Sequence, residues 1–209
     1  MKTKLDLESW ARKEHFEFFS NFDEPYTGVS VEIDCTAAYE HCKQNNISFF
    51  LYYFHQALIA VNSVEALRYR IEDGNVYSYD TIHGSATINR PDGTFQFSHF
   101  PFDGDFESFV ERAEKEIEAA KQSKGLDLTS SGIDAIHFSS IPWVKFTGLS
   151  HARNFAWKDS CPKISVGKMT VVDGKRQMPL SIHAHHALVD GIDLARFIDK
   201  FSELMAEQS

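Results

Sequence analysis

The sequence predicts an α/β fold, a two-layer sandwich in which a mixed β-sheet is covered by helices. Three observations carry that prediction: hairpin signals that recur along the chain, a long segment that is apolar nearly all round, and a C-terminal stripe with helical period. The 209 residues fit one domain, 1–209, which at that size buries roughly 70% of the surface its unfolded chain exposes. No internal repeat, low-complexity tract or Gly/Ser/Pro-rich linker divides it.

Leu7 to Phe19 carries apolar residues too irregularly for one period and reads as a short helix or an extended arm, with Trp10, Phe16, Phe18 and Phe19 destined for burial. After a turn around Pro25 and Gly28, Val29, Val31 and Ile33 alternate with Ser30 and Glu32, the period of a half-buried strand. Asp34 or Thr36 caps a short helix to about Gln44. From Ser48 to Asn62 the apolar segment has the character of a helix buried between layers. Hairpins are predicted over Arg68 to Tyr79 with Asp73-Gly74 at the turn, over Ala86 to Phe97 with Pro91-Asp92-Gly93, and over Ser165 to Ser181 with Asp173-Gly174. Asp105 to Gln122 is an amphipathic helix with Phe106, Phe109, Val110, Ala113 and Ile117 on one face and Gly125 past its end. In the last helix Leu194, Phe197, Ile198, Phe201, Leu204 and Met205 form the apolar stripe.

Composition narrows the function classes. With 21 basic against 30 acidic residues the net charge is -9, so a nucleic-acid backbone meets repulsion and no nucleic-acid partner is expected. No apolar run approaches the ~20 residues of a membrane helix and the first residues lack a signal peptide's apolar stretch, so a cytoplasmic protein with no membrane partner is expected. Cys35, Cys42 and Cys161 form no C-x-x-C pair and read as reduced, buried thiols. The 18 phenylalanines suffice for a core and still leave rings to line an apolar pocket.

The chemistry concentrates in Leu180 to Gly191, which holds His183, His185 and His186 and reads as a strand ending at Asp190-Gly191 before the last helix. Three readings compete. The histidines can be structural or surface residues. They can ligate zinc or iron with Asp190, although along a strand His183 and His185 face one side and His186 the other, so a twist or bulge is needed. Or His186 is a general base, since an imidazole titrates near neutrality, with Asp190 fixing the loop.

His185-His186-Ala187-Leu188-Val189-Asp190-Gly191 resembles the HHxxxDG signature of the CoA-dependent acyltransferases. Two further blocks, Trp10 to Phe19 and Ser139 to Phe146, resemble the WxRxxHFEFY and SxxPWVxF blocks of the chloramphenicol acetyltransferases. The order of the blocks and the length also match, so the resemblance covers essentially the whole chain. It implies a chloramphenicol acetyltransferase-like fold, acetyl-CoA as co-substrate with no bound cofactor and no metal, and a homotrimer with active sites at subunit interfaces. By the same resemblance His186 is the base, Ser139 donates to the oxyanion, and Arg12 pairs with Asp190 to hold the histidine loop. Ser165 stands for a family threonine and can order a water near the oxyanion, and Lys168 is a candidate for a CoA phosphate. Phe18, Phe19 and Phe95 are candidate aromatic walls for the acceptor.

The implied activity is acetylation of the primary hydroxyl of chloramphenicol, conferring resistance. Departures fall on the acceptor side: Phe19 replaces a frequent tyrosine, the Asn21 to Gly28 loop is longer, and Gly148 to His151 replaces an aromatic-rich stretch. They keep open an acetyltransferase acting on another small hydroxyl or amine acceptor. From other classes, a silent binding protein of this fold and a metal-dependent hydrolase are the rivals.

Overall fold

The computed structural model describes residues 1–126, 132–154 and 159–207. Among these, the chain forms a seven-stranded mixed sheet with helices on one face and a separate three-stranded sheet beside it. The elements are β1 (Lys2–Lys4), α1 (Lys13–Phe19), β2 (Tyr26–Asp34), α2 (Thr36–Gln44), α3 (Phe49–Ser63), β3 (Tyr69–Glu72), β4 (Asn75–Tyr79), β5 (His83–Asn89), β6 (Phe95–Phe100), α4 (Phe106–Gln122), β7 (Ala135–Ile141), β8 (Lys163–Gly167), β9 (Thr170–Val172), β10 (Lys175–His185) and α5 (Gly191–Ala206). The large sheet runs β2-β10-β8-β7-β5-β6, with β9 paired to β10. The contacts β5–β7 and β7–β8 are parallel and the others antiparallel.

The predicted sandwich is the observed architecture, and the helices begin where their caps place them. Ser48 accepts from Leu51 N at 3.4 Å to start α3, and Asp105 accepts from Ser108 N at 2.8 Å to start α4. Asp34 accepts from both the amide and the hydroxyl of Thr36 at the start of α2. The apolar segment is indeed the central helix: Leu51, Phe54, Ala57, Leu58, Ala60 and Val61 of α3 are buried. Each large side chain fully buried there contributes about 1.5–3 kcal/mol. Asp73-Gly74 and Asp173-Gly174 take positive φ in the tight turns that join β3 to β4 and β9 to β10.

Three expectations are corrected, and two strands were not foreseen. Phe18 is 61% exposed, because it points off the side of α1 opposite buried Phe16. The hairpin β3–β4 joins β1 in its own sheet, since a turn signal fixes local pairing and not the sheet that receives it. The last strand ends at His185 rather than at Asp190, because the amides of Leu188 and Val189 turn back onto the His185 carbonyl. Finally, β1 and β7 have no counterpart in the sequence reading: β1 is three residues long, and β7 mixes apolar with polar side chains.

Alternation along the strands separates two surfaces. Ile136, Phe138 and Ser140 of β7, Ile164 and Val166 of β8, and Leu180, Ile182 and Ala184 of β10 turn toward the helices, with Ser140 Oγ 2.9 Å from the Tyr53 hydroxyl of α3. The residues between them face the side of the sheet without helices. Arg70 of β3 is fully buried and meets no carboxylate among the described residues; its guanidinium donates to the carbonyls of Ile133, Leu67, Tyr69 and Ala135 at 2.6–3.0 Å, tying β3 to the start of β7.

Candidate active site

The histidine loop is built by three elements. Trp10 packs edge-on against Tyr69 at 5.7 Å and near Phe16 at 6.0 Å, which fixes the chain entering α1. That places Arg12, immediately before α1, under the turn that follows β10. Arg12 donates to both carboxylate oxygens of Asp190 and, at 2.9 Å, to the carbonyl of His186. The same guanidinium therefore holds both ends of the turn. Asp190 itself precedes α5, and its amide donates to Asp193 Oδ2 at 3.0 Å. Hydrogen bonding to Arg12 holds the Asp190 carboxyl below the usual carboxylate range.

His186 lies just past β10, its amide donating to Pro25 O at 2.8 Å. Its Nδ1 is 3.0 Å from the carbonyl of Val189. A carbonyl only accepts, so Nδ1 carries the proton and Nε2 is left with its lone pair. Phe19, at the end of α1, stacks on the ring with centroids 4.1 Å apart. One third of the His186 side chain is exposed (32%), enough for Nε2 to meet a second molecule.

On the helix-free face, a row of three serines runs across the strands: Ser139 of β7 pairs with Ser165 of β8, and Ser165 with Ser181 of β10. Ser165 Oγ is buried and without a partner, and Ser139 Oγ also meets none among the described residues. Next to this row is a cavity of about 700 Å³, whose wall includes Ser139, His137, Lys163, Asp159, His151 and Arg153. The Lys163 ammonium is buried and donates to Asp159 Oδ2, with His137 Nδ1 at 3.3 Å and Cys161 O at 3.5 Å. Burial and His183 push the His151 imidazole down to about 4. Burial raises the Asp159 carboxyl, but Lys163 outweighs it and holds the group ionised. Burial raises the Cys161 thiol to about 11, so it is no nucleophile at neutral pH.

Of the residues singled out from sequence, the structure brings Arg12, Asp190, His186 and Phe19 together and places Ser139 and Ser165 side by side. It does not bring the two groups to each other. His186 comes five residues after Ser181 and two strands from Ser139, which puts the two roughly 15–20 Å apart. Phe18 packs on Phe19 at 5.0 Å but does not line the cavity, and neither does Phe95, 44% exposed at the start of β6; Phe97 lines it instead. Lys168 is exposed in the β8–β9 connection, its amide bonded to Val144 O at 2.8 Å. His183 and His185 share a face, as alternation requires, with His183 edge-on to His151 at 5.1 Å and against Gly28 so closely that a Cβ there would lie 2.3 Å from its ring. No group of three or more His, Cys, Asp or Glu side chains among the described residues is arranged to hold a metal ion.

The sequence reading missed His137, Lys163, Asp159 and Arg153. The signal for the first two was period-2 alternation: His137 is two residues from Ser139, and Lys163 two from Ser165. Asp159 and Arg153 lie outside the strands, and nothing local marks them.

A family model described as chloramphenicol acetyltransferase matches residues 1–202. The chain belongs to the chloramphenicol acetyltransferase family. It is 28% identical over 208 residues to a chloramphenicol acetyltransferase of Streptomyces acrimycini, covering 97% of this chain and 94% of that one. It is 27% identical to chloramphenicol acetyltransferase 3 of Escherichia coli, covering 97% and 96%. A solved chloramphenicol acetyltransferase superposes with a TM-score of 0.90 at 30% identity, covering 98% of this chain and 100% of that one. The chain is accordingly an acyltransferase of this family. No helix among the described residues is long and apolar enough to cross a membrane.

Proposed function

We propose that the protein transfers the acetyl group of acetyl-CoA to a hydroxyl of a small acceptor, with the primary hydroxyl of chloramphenicol as the family's reference substrate and resistance as the result. His186 Nε2 removes the hydroxyl proton as the oxygen attacks the thioester carbonyl. The tetrahedral oxyanion accepts a hydrogen bond from Ser139 Oγ, a contact of the kind worth about 2.7–4 kcal/mol in the transition state. Collapse expels the CoA thiolate, which takes the proton from His186. Ser165 orders a water beside the oxyanion, Lys168 meets a CoA phosphate, and Arg12 and Asp190 hold the loop without touching substrate. The observation that carries this reading is the His186 ring, with its Nδ1 proton committed to Val189 O and Nε2 free.

A base and an oxyanion donor must both lie within hydrogen-bond reach of the reacting groups. The separation of His186 from Ser139 within one chain supports a site shared between copies, and hence the homotrimer the family resemblance implies. Acetyl-CoA is a cytosolic metabolite, which supports a cytosolic location. The test is free-thiol release from acetyl-CoA with and without chloramphenicol, using His186→Ala and Ser139→Ala as blanks and then mixing the two inactive variants after dissociation and reassembly. Regained activity in the mixture is expected; two variants that stay inactive together refute the shared site. A second reading, an acceptor other than chloramphenicol, is favoured by the Lys163–Asp159 pair in the cavity wall.

A further inference from the structure

We infer that the cavity selects an acceptor that carries a carboxylate as well as its hydroxyl, seated on Arg153 and His137. This rests on the reading that the cavity beside Ser139 receives the acyl acceptor. Among the charged side chains of the wall, the unspent hydrogen-bonding capacity is donor capacity. Both Asp159 oxygens are engaged, Oδ1 by the Cys161 amide at 2.8 Å and Oδ2 by Lys163. The three ammonium protons of Lys163 have Asp159, His137 and the Cys161 carbonyl as acceptors. Because His137 accepts at Nδ1, its proton sits on Nε2, which meets no partner among the described residues. Arg153 uses Nη1 on Glu24 at 2.5 Å, a residue half exposed to solvent, and lays its guanidinium on the Tyr26 ring at 3.6 Å. Its other N–H groups meet no protein acceptor among the described residues, although the side chain is only 13% exposed.

The wall therefore presents the guanidinium, the His137 N–H and the Ser139 hydroxyl, with no free carboxylate oxygen among its charged groups. Lys163 and Asp159 cancel, which leaves Arg153 as the surplus charge of the lining. Of these donors the Arg153 guanidinium is largely withdrawn from solvent while His137 is exposed, and a planar carboxylate is the ligand group that matches a guanidinium fork. A neutral acceptor of the same size leaves these donors unpaired.

The experiment is calorimetric titration of the purified protein with para-(hydroxymethyl)benzoate, its benzamide counterpart, and chloramphenicol. The benzoate is expected to bind at least about tenfold tighter than the benzamide, and the two to bind equally to Arg153→Gln. Equal affinities on the unaltered protein overturn the inference, as does a preference that survives in folded Arg153→Gln. Should that variant fail to fold, the comparison on the unaltered protein decides. Thiol release from acetyl-CoA is measured in parallel: none with any hydroxyl acceptor defeats the transfer reading while a benzoate preference stands, and release with chloramphenicol bound as tightly as the benzoate does the reverse.

Discussion

Phe19 lies against His186 with the two rings 29° from parallel, so the imidazole is clamped between an aromatic face and the carbonyl that holds its Nδ1 proton. Its orientation is thus set by contacts that no acceptor supplies, with Asp190 Oδ1 also 3.5 Å from Nδ1. Phe19→Ala removes one of them. Turnover is expected to fall about tenfold or more, since small misplacements of a reacting group are amplified in rate, with KM for acetyl-CoA little changed. Phe19→Tyr should retain most of the rate. Steady-state kinetics on both variants checks this, and an unaltered kcat in Phe19→Ala contradicts the clamp.

Asp190→Asn weakens the paired hydrogen bonds from Arg12 and leaves the guanidinium short of its counter-charge. The pair is partly exposed, with side chains 18% and 36% accessible, so the loss is discounted from that of a buried pair to about 1–3 kcal/mol. Activity should fall with it through movement of the turn. Urea denaturation together with thiol release measures both; a fully stable, inactive variant contradicts the positioning role.

Stability should decline on mild acidification. His151 and His185 are each held near pKa about 4 in the folded chain, chiefly by burial. Unfolded, they titrate near pKa about 6.5. Between those values the unfolded chain binds protons that the folded chain refuses, so stability rises with pH. It is fully present above the upper value and is lost as pH falls toward the lower. The urea midpoint measured from about pH 7.5 down to about pH 5 should drop steadily, and a flat profile contradicts the assignment.

Arg70→Met removes the guanidinium that serves the carbonyls of Leu67, Tyr69, Ile133 and Ala135, of which Ile133 O keeps a contact with Cys161 Sγ at 3.4 Å. Each buried group left unpaired costs about 1–3 kcal/mol, so a loss of about 3 kcal/mol or more is expected. Because Ile133 also lines the cavity, acceptor binding should weaken in any fraction that stays folded. Denaturation and calorimetry read the two effects.

The helices after α1 were legible because each is specified locally: Ser48 and Asp105 cap, and the apolar stripe of α5 keeps its period through Met205, whereas α1, which no side chain caps, read as either a short helix or an extended arm. The loop of His186 was legible through its seven-residue signature. What stayed hidden depends on register between distant strands. That Ser139, Ser165 and Ser181 share one row follows from pairings spanning tens of residues, and no single segment encodes them. Arg12 and Asp190 were joined by resemblance alone, across a gap that chain statistics do not bridge. Arg70 gave no signal, because a cation solvated wholly by carbonyls has no acidic partner to look for.

The alternation of β7, β8 and β10 divides responsibilities residue by residue. Ile164 answers to the core and its neighbour Lys163 to the cavity. Substitutions on the open face can therefore accumulate without unsettling the hydrophobic layer behind them. On the proposed function, drift at every second position of this sheet retunes the acceptor while the histidine turn, anchored from α1, is left as it is.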